Sequence, residues 1–75
     1  MEIRKISIGT DYKSSAMHYI AGQSVLNNTH TIHLIKFDID KESFKIYIED
    51  EDSNVFLWKE FTSTVPVSVE YNINF

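Results

Sequence analysis

Residues 29–61 read THTIHLIKFDIDKESFKIYIEDEDSNVFLWKEF, and the alternation of apolar residues within that stretch decides the fold. Runs rich in isoleucine, phenylalanine and valine are separated by two polar clusters, Asp40-Lys41-Glu42-Ser43 and Asp50-Glu51-Asp52-Ser53-Asn54. Side chains of this kind bond their own backbone and hold a turn in water. The pattern therefore predicts three strands joined as a meander.

In the middle strand Phe44, Ile46 and Ile48 alternate with Lys45, Tyr47 and Glu49, so the first set faces a core and the second a wetter surface. The strand before it changes parity: Ile32 and Leu34 point one way, and Ile35, Phe37 and Ile39 the other. A regular strand cannot send both sets into one core, which predicts a bulge or sharp bend near Leu34-Ile35. In the third strand Val55, Leu57 and Phe61 share a face with Lys59, while Phe56 and Trp58 share the opposite face with Glu60. Both faces are apolar. Trp58 is expected in or at the edge of the core, with a binding anchor as its second reading.

Outward from the meander, Glu2–Ile8 reads as a first strand and Gly9-Thr10-Asp11 as punctuation. The segment 12–21 has two readings. Met17, Tyr19 and Ala21 alternate as in a strand, whereas Tyr12, Ala16 and Ile20 keep helical spacing between Asp11 and Gly22. A strand from about Ala16 to Ile20 is the preferred one, then a turn at Gly22-Gln23 and a short strand at Ser24-Val25-Leu26. Asn27-Asn28 suits a turn in the left-handed region. At the C-terminal end Val65, Val67, Val69, Tyr71, Ile73 and Phe75 alternate with polar residues, with Pro66 placed at a strand start or edge and Phe75 expected to be pinned.

These elements predict one all-β domain spanning residues 1–75: a small, partly open antiparallel barrel of five or six strands, SH3-like or OB-like. The alternative is an α+β arrangement with one short helix near residues 12–21.

A chain of 75 residues buries only about 60% of its unfolded surface. With no cysteine disulfides are excluded, and a second subunit is the expected source of further burial. There is no signal-like leader and no apolar run of membrane-spanning length, so a cytoplasmic protein is expected. Net charge is −4, and residues 36–52 carry all of it, with seven acids against three lysines. Phosphate binding needs the opposite balance.

Local signatures of chemistry are missing. His30 and His33 fall on opposite faces of one strand and His18 in another element, which disfavours a metal site. Asp38, Asp40 and Glu42 are spaced as at the start of a calcium loop but lack its glycine and terminal glutamate. Neither a nucleophile with a local base nor a glycine-rich phosphate loop is present, since Gly9 and Gly22 are the only glycines. No enzyme activity, no cofactor, no small-molecule substrate and no metal are expected.

The ten aromatic residues lack the positive groove that base stacking requires. A non-enzymatic protein-interaction module follows, self-associating through Tyr47, Phe56 and Trp58, with Asp50 and Asp52 at an acidic tip as further contact residues. The weighting toward Ile, Asn, Lys, Phe and Tyr suits a phage or mobile-element accessory protein. Two alternatives stand beside this one. One is a nucleic-acid-associated barrel using Arg4, Lys5 and Lys13 on phosphate; the other is an acidic mimic of nucleic acid bound by a basic partner.

Overall fold

Isoleucine, stiff at χ1 and shaped for a pleated surface, builds the interior. Ile6, Ile32, Ile35, Ile46 and Ile48 are fully buried, joined by Ile3, Ile8 and Tyr19. Val25, Phe44, Trp58, Phe61 and Val69 pack round them, half-buried. The computed structural model describes residues 3–9, 17–62 and 67–71, and within the last segment the side chain of Val69 alone.

The strands in chain order are β1 Ile3–Ile8, β2 Met17–Ile20, β3 Ser24–Val25, β4 His30–Asp38, β5 Ser43–Glu49, β6 Val55–Thr62 and β7 Val67–Tyr71. They form two antiparallel sheets, ordered β2-β1-β7 and β3-β4-β5-β6. The curled four-stranded sheet and the smaller one make a small open β-barrel. Seven strands occur among the described residues, against the five or six expected for the barrel; the short strand expected at residues 24–26 is one of them. The α+β alternative is overturned: Met17–Ile20 is a strand paired with β1, and no helix occurs among the described residues. Residues 12–16, Pro66 and Phe75 lie outside the described residues.

The curl has a local cause. Pairing of β4 with β5 slips by one between Ile32 and Leu34, leaving His33 as an extra residue. A second slip, between β5 and β6, leaves Trp58 extra between Leu57 and Lys59. The two bulges flank Tyr47 from either side. Each adds bend and right-handed twist to its strand, so the sheet turns at that level. The first bulge lies one residue before the expected Leu34-Ile35 position and does what the parity conflict demanded, sending Ile32 and Ile35 into the same core. Phe37 shares the face of Ile35 without being buried, and Ile39 lies beyond the strand. Phe37 is exposed with its ring against Phe44, and Ile39 lies in the turn beyond β4, 77% exposed.

Two features join the sheets. The corner between β2 and β3 bonds to both, Ala21 N donating to Arg4 O and Gly22 N to Ile32 O, each at 2.8 Å. Gly22 has φ +91°, a region that glycine enters without steric penalty. Across the interior, the Tyr19 ring meets Trp58 edge-on at 5.7 Å and Phe61 at 6.0 Å.

The β3–β4 turn is left-handed as expected at Asn27 and Asn28, with φ 58° and 67°, but Leu26 before them is also left-handed at φ 52°. For a leucine that conformation costs about 1–2 kcal/mol. Thr29 closes the turn, its N–H and hydroxyl both donating to Leu26 O.

Candidate contact surface

Pairing register assigns a face to every residue of the meander. Ile32, Ile48 and Phe56 share the inner face with Ile35, Ile46 and Lys59, and with Phe37, Phe44 and Phe61. The outer face carries Leu34, Tyr47 and Leu57 in one row, with Val55 and Glu49 to one side and Lys36, Lys45 and Glu60 to the other. The expected grouping along β6 is thereby corrected. Phe61 and Lys59 leave the face of Val55 and Leu57, and Glu60 joins it, because the Trp58 bulge reverses side-chain parity midway along the strand.

β6 stands last in its sheet, and among the described residues no strand pairs with its outer side. Its first half is unusually bare: Val55, Phe56 and Leu57 are 46%, 44% and 44% exposed. Long apolar edges are usually blunted by charge, a bulge or brevity. Here the protection falls on the second half, where the bulge is followed by Lys59 and Glu60.

The five expected contact residues divide among three places. Phe56 is an exposed inner-face residue with the His30 ring edge-on at 5.7 Å. Trp58 is half-buried, held by Tyr19 and capped by Lys59 Nζ at 4.7 Å from its ring centroid. Tyr47 sits on the opposite face, beside Leu57, with Lys36 Nζ at 5.6 Å from its ring. Val55 and Leu57 are further contact candidates that the sequence reading did not single out. The signal that reveals them is a strand apolar on both faces, the same conflict that exposed the bulge in β4.

Asp50 and Asp52 belong to the turn before β6, and they differ. Asp50 Oδ1 accepts the N–H groups of Asp52 and Asn54, both at 2.9 Å, and Oδ2 accepts Asn54 Nδ2 at 3.1 Å. Its carboxylate organises the turn, while Asp52 is exposed. The other hairpin tip repeats the device. Asp38 Oδ1 accepts the N–H groups of Asp40 and Lys41, and Oδ2 meets Lys45 Nζ at 2.9 Å. On the outer face Ser43 Oγ donates to Glu60 Oε2 at 2.6 Å.

Hydrogen bonding to the ionised form lowers both carboxyls. For Asp50 the leading cause is the Asn54 N–H, and for Asp38 it is the Lys45 ammonium. An acid whose folded value is depressed contributes stability that is complete above its unfolded pKa, about 3.9 for aspartate, and lost as pH falls through the folded value. Thermal unfolding is thus expected to be level from pH 6 to about 4 and to weaken below that. In Asp50→Asn the fall below pH 4 should be shallower, because one titrating group is gone. An equally steep fall in that variant would show that Asp50 is not one of the groups responsible.

Among the described residues no three His, Cys, Asp or Glu side chains lie together as a metal would require. The histidines go separate ways: His18 Nδ1 is 2.7 Å from Ser7 Oγ, His30 Nδ1 is 2.7 Å from Thr29 Oγ1, and His33 is 3.6 Å from Glu49. No described helix is long and apolar enough to cross a membrane. Comparison of the chain with protein-family models, curated proteins and solved structures finds no match.

Proposed function

We propose that this chain is a non-enzymatic, cytoplasmic protein-interaction module that associates with itself through β6. One observation carries the reading: three consecutive large apolar residues, Val55, Phe56 and Leu57, stand nearly half exposed on both faces of a strand whose outer side has no partner among the described residues. Leaving such an edge in water is unfavourable, and covering it with another strand satisfies backbone and side chains together. An SH3-like kinship belongs to the same proposal. The antiparallel pairing of β1 with β7 around the β4–β5–β6 meander supports it.

The acidic tip favours protein over nucleic acid as the partner, since Glu51 and Asp52 lie exposed in the turn that leads into β6 and repel phosphate.

The test is solution mass across a concentration series. The expected result is a rise from 8.8 kDa toward twice that value. Leu57→Lys is expected to hold the protein at the lower mass, because the new ammonium lies on the covered edge and reaches no core residue. Trp58→Ala is a poorer probe, since it also removes the packing on Tyr19. A mass that stays at one chain throughout overturns the reading.

A further inference from the structure

Leu26 stands in a backbone conformation that suits the two residues after it and not a leucine. Residues 26–28 are all left-handed, with φ 52°, 58° and 67°; asparagine enters that region readily, whereas a leucine Cβ is crowded there. Burial within the chain does not offset the cost, because Leu26 is 48% exposed. Conformations of this kind persist where their surroundings over-determine them, and they gather at binding sites.

A short relay fixes this one. The N–H and the hydroxyl of Thr29 both donate to Leu26 O, at 3.2 and 2.6 Å. A hydroxyl has one proton to give, so in the 2.7 Å contact between Thr29 Oγ1 and His30 Nδ1 the ring nitrogen is the donor. His30 therefore carries its proton on Nδ1, and its ring meets Phe56 edge-on at 5.7 Å. The relay ties the Leu26 turn to the exposed Phe56 of β6. Both lie at one end of the curled sheet: Thr31, Glu49 and Val55 stand in one row across β4, β5 and β6, so the β3–β4 and β5–β6 turns project from the same end.

Resting on the reading of β6 as a self-association strand, we infer that Leu26 is a second apolar anchor of the same contact, seated on a second copy of this chain. A stable pair covers about 800 Å² on each copy. Even at about 250 Å² for a whole large side chain, the half-exposed Val55, Phe56 and Leu57 supply less than half of that, so the contact has to reach beyond them. From Phe56 the ring contact and the relay lead to Leu26. Charge points to the same occupant. Residues 17–35 hold no Asp, Glu, Lys or Arg, so Leu26 is set among uncharged sequence neighbours and matches an apolar surface, which β6 of a second copy supplies. Glu51 and Asp52, exposed at the same end, repel nucleic acid.

The chain has three leucines, Leu26, Leu34 and Leu57, so leucine methyl labels read the contact in the native protein, with signals assigned from Leu26→Asn and Leu57→Lys. Over a concentration series in which the mass rises toward two chains, the Leu26 and Leu57 signals are expected to shift together with one midpoint. Movement of Leu57 alone leaves the turn to another partner and overturns the inference while self-association stands. A mass of one chain throughout overturns the reading beneath it. Leu26→Asn gives the second measure. Its dissociation constant is expected to rise about tenfold, while the dilute single-chain protein melts within about 3 °C of the native chain, since the relieved backbone offsets the lost side chain. A melting temperature far below that shows that the leucine serves the core of its own chain and overturns the inference, as does an unchanged dissociation constant.

Discussion

Ile46→Ala is expected to destabilise the fold by about 2–5 kcal/mol, the range for deleting a branched side chain from a site that cannot collapse around the gap. Ile46 is 0% exposed and sits in the central strand, opposite Ile35 on one side and Lys59 on the other. Stability of a 75-residue chain is on the order of 4–11 kcal/mol, so this one change removes a large fraction of the total. Urea unfolding measures it as a lower midpoint at unchanged slope. Ile39→Ala is the control: the side chain lies in the tip beyond β4, and its loss is expected to stay within about 0.5 kcal/mol. A shift that small at Ile46 would show that the isoleucines are not the interior of the protein.

The second large effect is at Tyr19. This ring carries the aromatic contact between the smaller sheet and β6, through Trp58 and Phe61, and it is buried. Tyr19→Ala is expected to cost about 3–5 kcal/mol, the range for an aromatic deleted from a core. Tyr19→Phe is expected to lie within about 1 kcal/mol, because among the described residues the hydroxyl donates to the Met17 sulfur at 3.7 Å, a weak acceptor. Trp58 is the sole tryptophan, so its fluorescence reports the contact directly. Tyr19→Ala should shift the emission to the red in the still-folded fraction, and Tyr19→Phe should leave it in place. Equal losses from both variants would mean that the hydroxyl, rather than the ring, holds the sheets together.

These outcomes bear on function through β6. Tyr19 holds the inner face of that strand at Trp58 and Phe61, away from the exposed Val55, Phe56 and Leu57. A variant that loosens Tyr19 should therefore disturb self-association together with stability, whereas Leu57→Lys should change association with stability little altered. That contrast separates a contact residue from a supporting one.

Much of this architecture was legible in the order of residues. Period-two alternation in Phe44–Glu49 exposed the central strand and its buried face, because a pleated backbone sends neighbouring side chains to opposite sides. The parity conflict between Ile32 and Ile35 required a bulge, and the structure places it at His33. Asn27-Asn28 marked a left-handed turn, since asparagine tolerates that backbone region. The conflict in 55–61 was equally visible but could not be resolved locally. Val-Phe-Leu-Trp-Lys-Glu-Phe is apolar on both faces under either phase, and the choice of bulged residue depends on what lies across the sheet.

The sequence by itself determined an all-β chain, its meander, the polar tips and an isoleucine interior, because those follow from side-chain shape and from a period carried within each strand. Only the tertiary structure decided that Trp58 is the extra residue in β6, that Phe61 turns inward while Leu57 stays out, and that β6 stands last in its sheet among the described residues. Those outcomes rest on packing against Tyr19, some forty residues earlier in the chain, and on pairing with β5. No local pattern of hydrophobicity encodes a partner that distant.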